Sequence, residues 1–191
     1  MAVTDVVQLG EEILREKASE VDLTNKELIK RVFNDLRDTM RQAGLVGLAA
    51  PQVGEGVRMF VTELRETPDR SGIHDELRVY INPEIVEMSD DEVEIYEGCG
   101  SIVEGQLFGP VNRSKVVTVE AFDIEGKRFR LKTDGILGRV ILHEYDHLEG
   151  VLFTDLVEDV KRLVGSGYYR RVVKPKMARV SEVRVKDYVV L

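Results

Sequence analysis

The sequence predicts an α+β fold, antiparallel sheets packed around a central helix, on three observations. Two segments, 24–44 and 134–148, carry apolar residues at helical spacing. Short β-type runs fill the interval between them, and a hairpin-like turn joins two of these. The order shows no βαβ alternation, so the strands are expected to pair antiparallel. No repeat, low-complexity tract or linker divides the 191 residues, which are expected to form one domain spanning 1–191.

The first helix is predicted from "TNKELIKRVFNDLRDTMRQAG", where Leu28, Ile29, Val32, Phe33, Leu36 and Met40 share one stripe. Thr24 and Glu27 stand at capping-box spacing, and Gly44 is the stop. Strands follow at "VRMFVTEL" (57–64), "RVYINPEIVEM" (78–88) and "EVEIYEGC" (92–99), with a polar loop at 65–77. "KVVTVEAFD" and "KRFRLKTD" form a hairpin through "IEG". The second helix runs from about Asp134 to Leu148, capped by Thr133 or Asp134, with Gly150 past its end. The tail "RVSEVRVKDYVVL" alternates enough to suggest a last strand.

With 43% apolar and 32% charged residues, the chain is expected to bury a real core. The N-terminal "MAVTDVVQLGEEILREK" lacks a basic patch followed by an apolar run, and no apolar run approaches the roughly 18 residues that span a bilayer. A soluble, cytoplasmic protein of bacterial type is expected, with no membrane partner; an organelle is also compatible. A net charge of −8 argues against general or specific DNA binding. The stretch 161–180 departs from that balance, with seven basic residues and no acidic one. One cysteine, Cys99, fits a reducing compartment.

The second helix carries the chemistry. Ile136, Val140, His143 and His147 fall at i, i+4, i+7 and i+11, so two of the chain's three histidines lie on the apolar face. A buried imidazole is costly unless it is hydrogen-bonded or binds something. Two imidazoles one turn apart can point at one metal ion, and Glu144, directly after the first, lies where it can take a proton from water activated there. This is the H-E-x-x-H arrangement.

A catalytic metal site usually keeps three protein ligands and one open position. The variant with a third histidine in the same motif fails, because Phe153 stands in its place. Glu158, Glu182 and His74 are candidates for the third ligand. Cys99 is favoured, because in "YEGCGSI" a β-type run ends in a cysteine with glycine on each side, which lets the backbone approach and leaves N–H groups free to face a ligand.

These motifs together resemble the peptide deformylase family. "VVQLGEEILREKASEV" resembles its opening segment, "VGLAAPQVG" (46–54) its glycine and glutamine motif, "EGCGS" (97–101) its cysteine motif and "HEYDHLEG" its metal helix. The resemblance implies that Cys99, His143 and His147 hold one divalent ion, typically Fe2+, which Zn2+, Ni2+ or Co2+ can replace. It implies that Glu144 is the general base, that Gln52 hydrogen-bonds the attacking water and the developing oxyanion, and that the Gly100 N–H is a second oxyanion donor. The reaction implied is hydrolytic removal of the formyl group from N-formylmethionyl nascent peptides. Val46, Gly47, Ile95, Ile136 and Val140 are then expected to bind substrate, the peptide lying as an added strand along a sheet edge. Arg139 is expected to turn to solvent, and Glu97 and Arg113 to pair and brace the cysteine loop. The basic stretch 161–180 is a candidate dock for the ribosome near its exit tunnel.

The sequence departs from the family at two positions: Gly100 replaces a leucine, and Leu45 replaces the first glycine before the paired alanines. Two other readings of the same residues are an H-E-x-x-H metallopeptidase with a downstream glutamate as third ligand, and a deformylase-like binder that has lost catalysis.

Overall fold

A computed structural model of the chain describes residues 3–66, 74–176 and 183–191. Helix α1, Lys26–Gln42, buries Ile29, Val32, Leu36 and Met40. Its cap is Asn25, whose side chain accepts from the Leu28 N–H at 3.1 Å. Thr24 is unavailable for that role, because Asp22 Oδ1 accepts from both its N–H and its hydroxyl. The expected capping box is therefore replaced by a single side-chain cap one residue further on. Gly44, at φ 68°, ends the helix as expected.

Nine strands form two antiparallel sheets among the described residues. The larger has the order β1 (Gly47–Ala49), β2 (Met59–Leu64), β3 (Asp75–Met88), β6 (Val116–Phe122), β7 (Arg128–Asp134) and β9 (Val183–Val190). The smaller has the order β4 (Glu92–Gly98), β5 (Leu107–Ser114) and β8 (Val164–Gly165). The expected loop at 65–77 is shorter than the sequence suggests: β3 starts at Asp75, whose carboxylate accepts from Arg78, and residues 67–73 lie outside the described ones. β3 bends at Asn82 and Pro83, where its register against β6 shifts. The Asn82 side chain accepts from the Val21 N–H and donates to its carbonyl, tying the bend to the segment before α1.

Strand β5 was not expected, because "LFGPVNRS" contains glycine, proline and asparagine. Pairing with β4 across seven residues, with Glu97 opposite Gly109, makes it a strand. The last strand does form and pairs with β7 at the sheet edge; its expected start, 179–182, lies outside the described residues.

The near-continuous apolar run of β2 has a direct cause. Met59 and Val61 pack with Val32, Leu36 and Met40 of α1, whereas Phe60 and Leu64 pack with Leu137, Ile141 and Leu148 of the second long helix, α2 (Gly135–Leu148). Successive side chains of a strand point to opposite faces, so α1 covers one face of this part of the sheet and α2 the other. A third cluster, Cys99, Ile102, Val111, Leu152, Phe153 and Val157, lies under the cysteine loop. No helix among the described residues is long and apolar enough to cross a membrane.

Candidate metal centre

Three elements meet at the site. α2 supplies His143, Glu144 and His147; the end of β4 leads into Cys99; and the turn after β1 carries Gln52. Ligand atoms of Cys99, His143 and His147 all lie within 4.8 Å of one another. Cys99 Sγ is 3.2 Å from His147 Nε2. The alternatives for the third ligand do not join them: His74 and Glu158 are exposed, and Glu182 lies outside the described residues.

His143 Nδ1 faces Glu97 Oε2 at 2.8 Å, which leaves the other ring nitrogen for the site. Burial works against a carboxylate at Glu97, but His143 and Arg113 outweigh it and hold its pKa below the usual carboxylate range. Arg113 Nε donates to Glu97 at 2.7 Å, and Arg113 Nη1 donates to Asp146 at 2.6 Å. The expected Glu97–Arg113 pair is therefore present. Arg139 does not turn to solvent. It is buried and donates to Glu97 Oε1 at 2.9 Å and to the carbonyls of Val111 and Val93. A buried charge needs such partners, and here a carboxylate from another element supplies them.

Burial disfavours a thiolate at Cys99, yet the adjacent His147 and His143 hold the thiol well below its ordinary value. A thiolate between two imidazoles is a donor set suited to zinc or iron. Glu144 is 4% exposed, and burial pushes its pKa up to about 7. Its Oε2 is buried and has no hydrogen-bond partner among the described residues. Such a carboxylate can take a proton and return it near neutrality.

Gln52 is locked by its backbone neighbour. The Ala49 N–H donates to Gln52 Oε1 at 2.8 Å, which turns the amide nitrogen towards Cys99 Sγ (3.4 Å) and Ser101 Oγ (3.2 Å). The amide therefore presents a donor to the centre. Gly47 is fixed by close approach: a Cβ there would collide with Glu144 Oε1 and lie 2.6 Å from Val140 Cγ1. This brings Gly47, Val140 and Glu144 together. Val46 and Ile136 pack against the core between α2 and the sheet, and Ile95 is buried on β4 opposite Val111.

Sequence reasoning passed over Ser101, Asp146 and Gln8. Gln8 Nε2 donates to the Gly100 carbonyl at 2.9 Å, and its Oε1 accepts from the Glu104 N–H. A glutamine 92 residues away leaves no periodic signal; only the fold brings it to the loop.

A thiol, two imidazoles and a buried carboxylate define a metal-dependent hydrolase site. Residues 3–163 match the family model described as polypeptide deformylase, and the chain belongs to that family. It is 40% identical over 153 residues to the peptide deformylase of Dictyoglomus turgidum, covering 80% of this chain and 92% of that protein. A Met-Ala-Ser-bound class I type b peptide deformylase from Acinetobacter baumannii matches with a TM-score of 0.76 and 30% identity, over 82% of this chain and 99% of that one. An actinonin complex of a peptide deformylase from Synechococcus elongatus matches with a TM-score of 0.74 and 38% identity, over 83% and 81%. The chain is a hydrolase that removes the N-formyl group from nascent peptides.

Proposed function

We propose that Glu144 is the general base of this deformylation, with Cys99, His143 and His147 holding one divalent ion. The observation that carries the reading is the convergence of those three donors beside a buried carboxylate, one oxygen of which has no partner among the described residues. The ion, when bound, supplies Lewis acidity and lowers the pKa of water to around 7. Glu144 takes the proton of the attacking water and delivers it to the leaving amine, so that formate and a free N-terminus result. The Gln52 amide and the Gly100 N–H donate to the oxygen on which negative charge develops, each contributing about 3 kcal/mol.

β1 is one edge strand of the larger sheet, and the substrate peptide adds along it through main-chain hydrogen bonds. Gly47 gives the peptide close backbone access, and Val46, Ile95, Ile136 and Val140 form the apolar pocket for the methionine side chain. In this reading α2 is the central helix of a single catalytic domain, supported by its contacts with β1, β2, β6, β7 and β9.

Fe2+ is the resident ion, with Zn2+, Ni2+ or Co2+ as substitutes, since thiolate and imidazole suit all four. The enzyme acts in the cytoplasm on N-formylmethionyl chains leaving the ribosome. The basic stretch 161–180 docks on the ribosome through Arg170, Arg171, Lys174 and Lys176, all four among the described residues. Co-sedimentation with ribosomes should fall steeply with salt and drop when these four are neutralised; binding indifferent to both ends that part of the reading.

The test of the reaction is anaerobic incubation of nickel-loaded protein with formyl-Met-Ala-Ser and, separately, with an unformylated internal peptide. Formate from the first and no cleavage of the second is expected. Cleavage of the internal peptide without formate release would make the protein a peptidase.

A further inference from the structure

Two segments remote in sequence share one space over the cysteine loop. A Cβ added at Gly100 would lie 2.9 Å from Leu45 Cδ1, and 3.6 Å from both Leu45 Cδ2 and Val6 Cγ1. Carbon atoms pack at about 3.5 to 4.0 Å, so the Leu45 side chain already fills the volume that a side chain at residue 100 would need. The two departures from the family pattern are therefore reciprocal. Bulk expected on the cysteine loop is supplied from the segment before β1, and the glycine expected there stands on the loop.

Leu45 is held firmly enough to act as a brace. Its N–H donates to the Met40 carbonyl at the end of α1 at 2.9 Å, and its carbonyl accepts from Arg65 Nη2 at 3.0 Å. The opposite side of the loop is tied to the N-terminal segment: Gln8 Nε2 donates to the Gly100 carbonyl at 2.9 Å, and the Leu9 N–H donates to the Ser101 carbonyl at 2.8 Å. Glycines on both sides of Cys99 leave this loop more conformational freedom than any other residue type would. Filling the space beside Gly100 removes part of it.

We propose that Leu45 is the positioning residue of Gly100, fixing the peptide that carries the Gly100 N–H so that it points at the substrate oxygen. This rests on the reading of that N–H as an oxyanion donor. Neither residue has positive φ, so exchanging them meets no backbone strain, and the exchange is the test.

The wild type, Leu45→Gly, Gly100→Leu and the double variant are compared as nickel-loaded proteins for kcat and KM on formyl-Met-Ala-Ser, metal stoichiometry and thermal midpoint. Leu45→Gly should lower kcat about 10-fold with KM within about twofold and stoichiometry unchanged, because the donor loosens while the ligands stay. Gly100→Leu should lower kcat further and depress the midpoint. The double variant should return kcat to within about threefold of wild type and recover the midpoint, a coupling expected only of residues in contact. Additive effects in an active protein would overturn the proposal, as would a Leu45→Gly protein with a lower midpoint but unchanged kcat. A wild type that releases no formate while the midpoints remain coupled would overturn the reaction reading and leave the Leu45–Gly100 packing standing.

Discussion

Glu97 Oε2 stands 2.8 Å from His143 Nδ1, while Arg113 and Arg139 donate to the same carboxylate from behind. One buried carboxylate thus orients an imidazole and pairs with two buried guanidiniums, of which Arg113 also meets the carboxylate of Asp146. Partners of this kind typically change metal affinity 10- to 100-fold, and Glu97→Gln should weaken it by about that factor in a chelator competition. Arg113→Ala should weaken metal retention too, since it frees Glu97 to move; unchanged metal content in that variant would show that Arg113 does not brace the loop.

Cys99→Ser should lose most formate release and shift metal preference away from zinc and iron, because a hydroxyl is a poorer donor than a thiolate to both. Metal analysis and turnover measured together decide it. Retention of both would restore a downstream glutamate as third ligand.

Gly47→Ala places a methyl group against Glu144 Oε1 and Val140 Cγ1. Overfilling a packed site costs about 1 to 3 kcal/mol. Here the displaced atom belongs to the proposed base, so kcat should fall about 100-fold with the circular dichroism spectrum unchanged. A variant as active as wild type would show that Glu144 has room to spare.

Arg41 donates to both oxygens of Glu63, joining the end of α1 to β2, and this holds the Glu63 carboxyl below its usual pKa. A carboxylate whose folded pKa is depressed adds stability above its unfolded value, about 4.3, and that contribution is lost as pH falls through the folded value. Arg41 is 43% exposed, so the pair is worth at most about 1 kcal/mol. Glu63→Gln should lower the thermal midpoint slightly at pH 7, with the difference shrinking as pH falls below about 4.3 and gone once it has passed below the depressed folded value. A difference that persists at low pH would assign the effect to packing rather than charge.

Both helices were legible because each buries a stripe at helical spacing, and the three converging donors because an H-E-x-x-H pair and a glycine-flanked cysteine are unusual in a chain with three histidines and one cysteine. What was not legible is tertiary in origin. β5 is a strand only because β4 pairs with it. Arg139 reads as a surface residue until Glu97 arrives from another element. Leu45 and Gly100, taken singly, read as two defects in a pattern; side by side they are one filled space. The helix cap moved by one residue because Asp22 captures Thr24, a local competition that capping-box spacing does not reveal.

The central claim is that Glu144 moves the proton while three other side chains hold the metal. Formate release from formyl-Met-Ala-Ser by Glu144→Ala, with metal stoichiometry measured on the same sample, tests it most directly. The account predicts about one metal per chain and a rate lower by at least about 100-fold; near wild-type release at full metal content would contradict it.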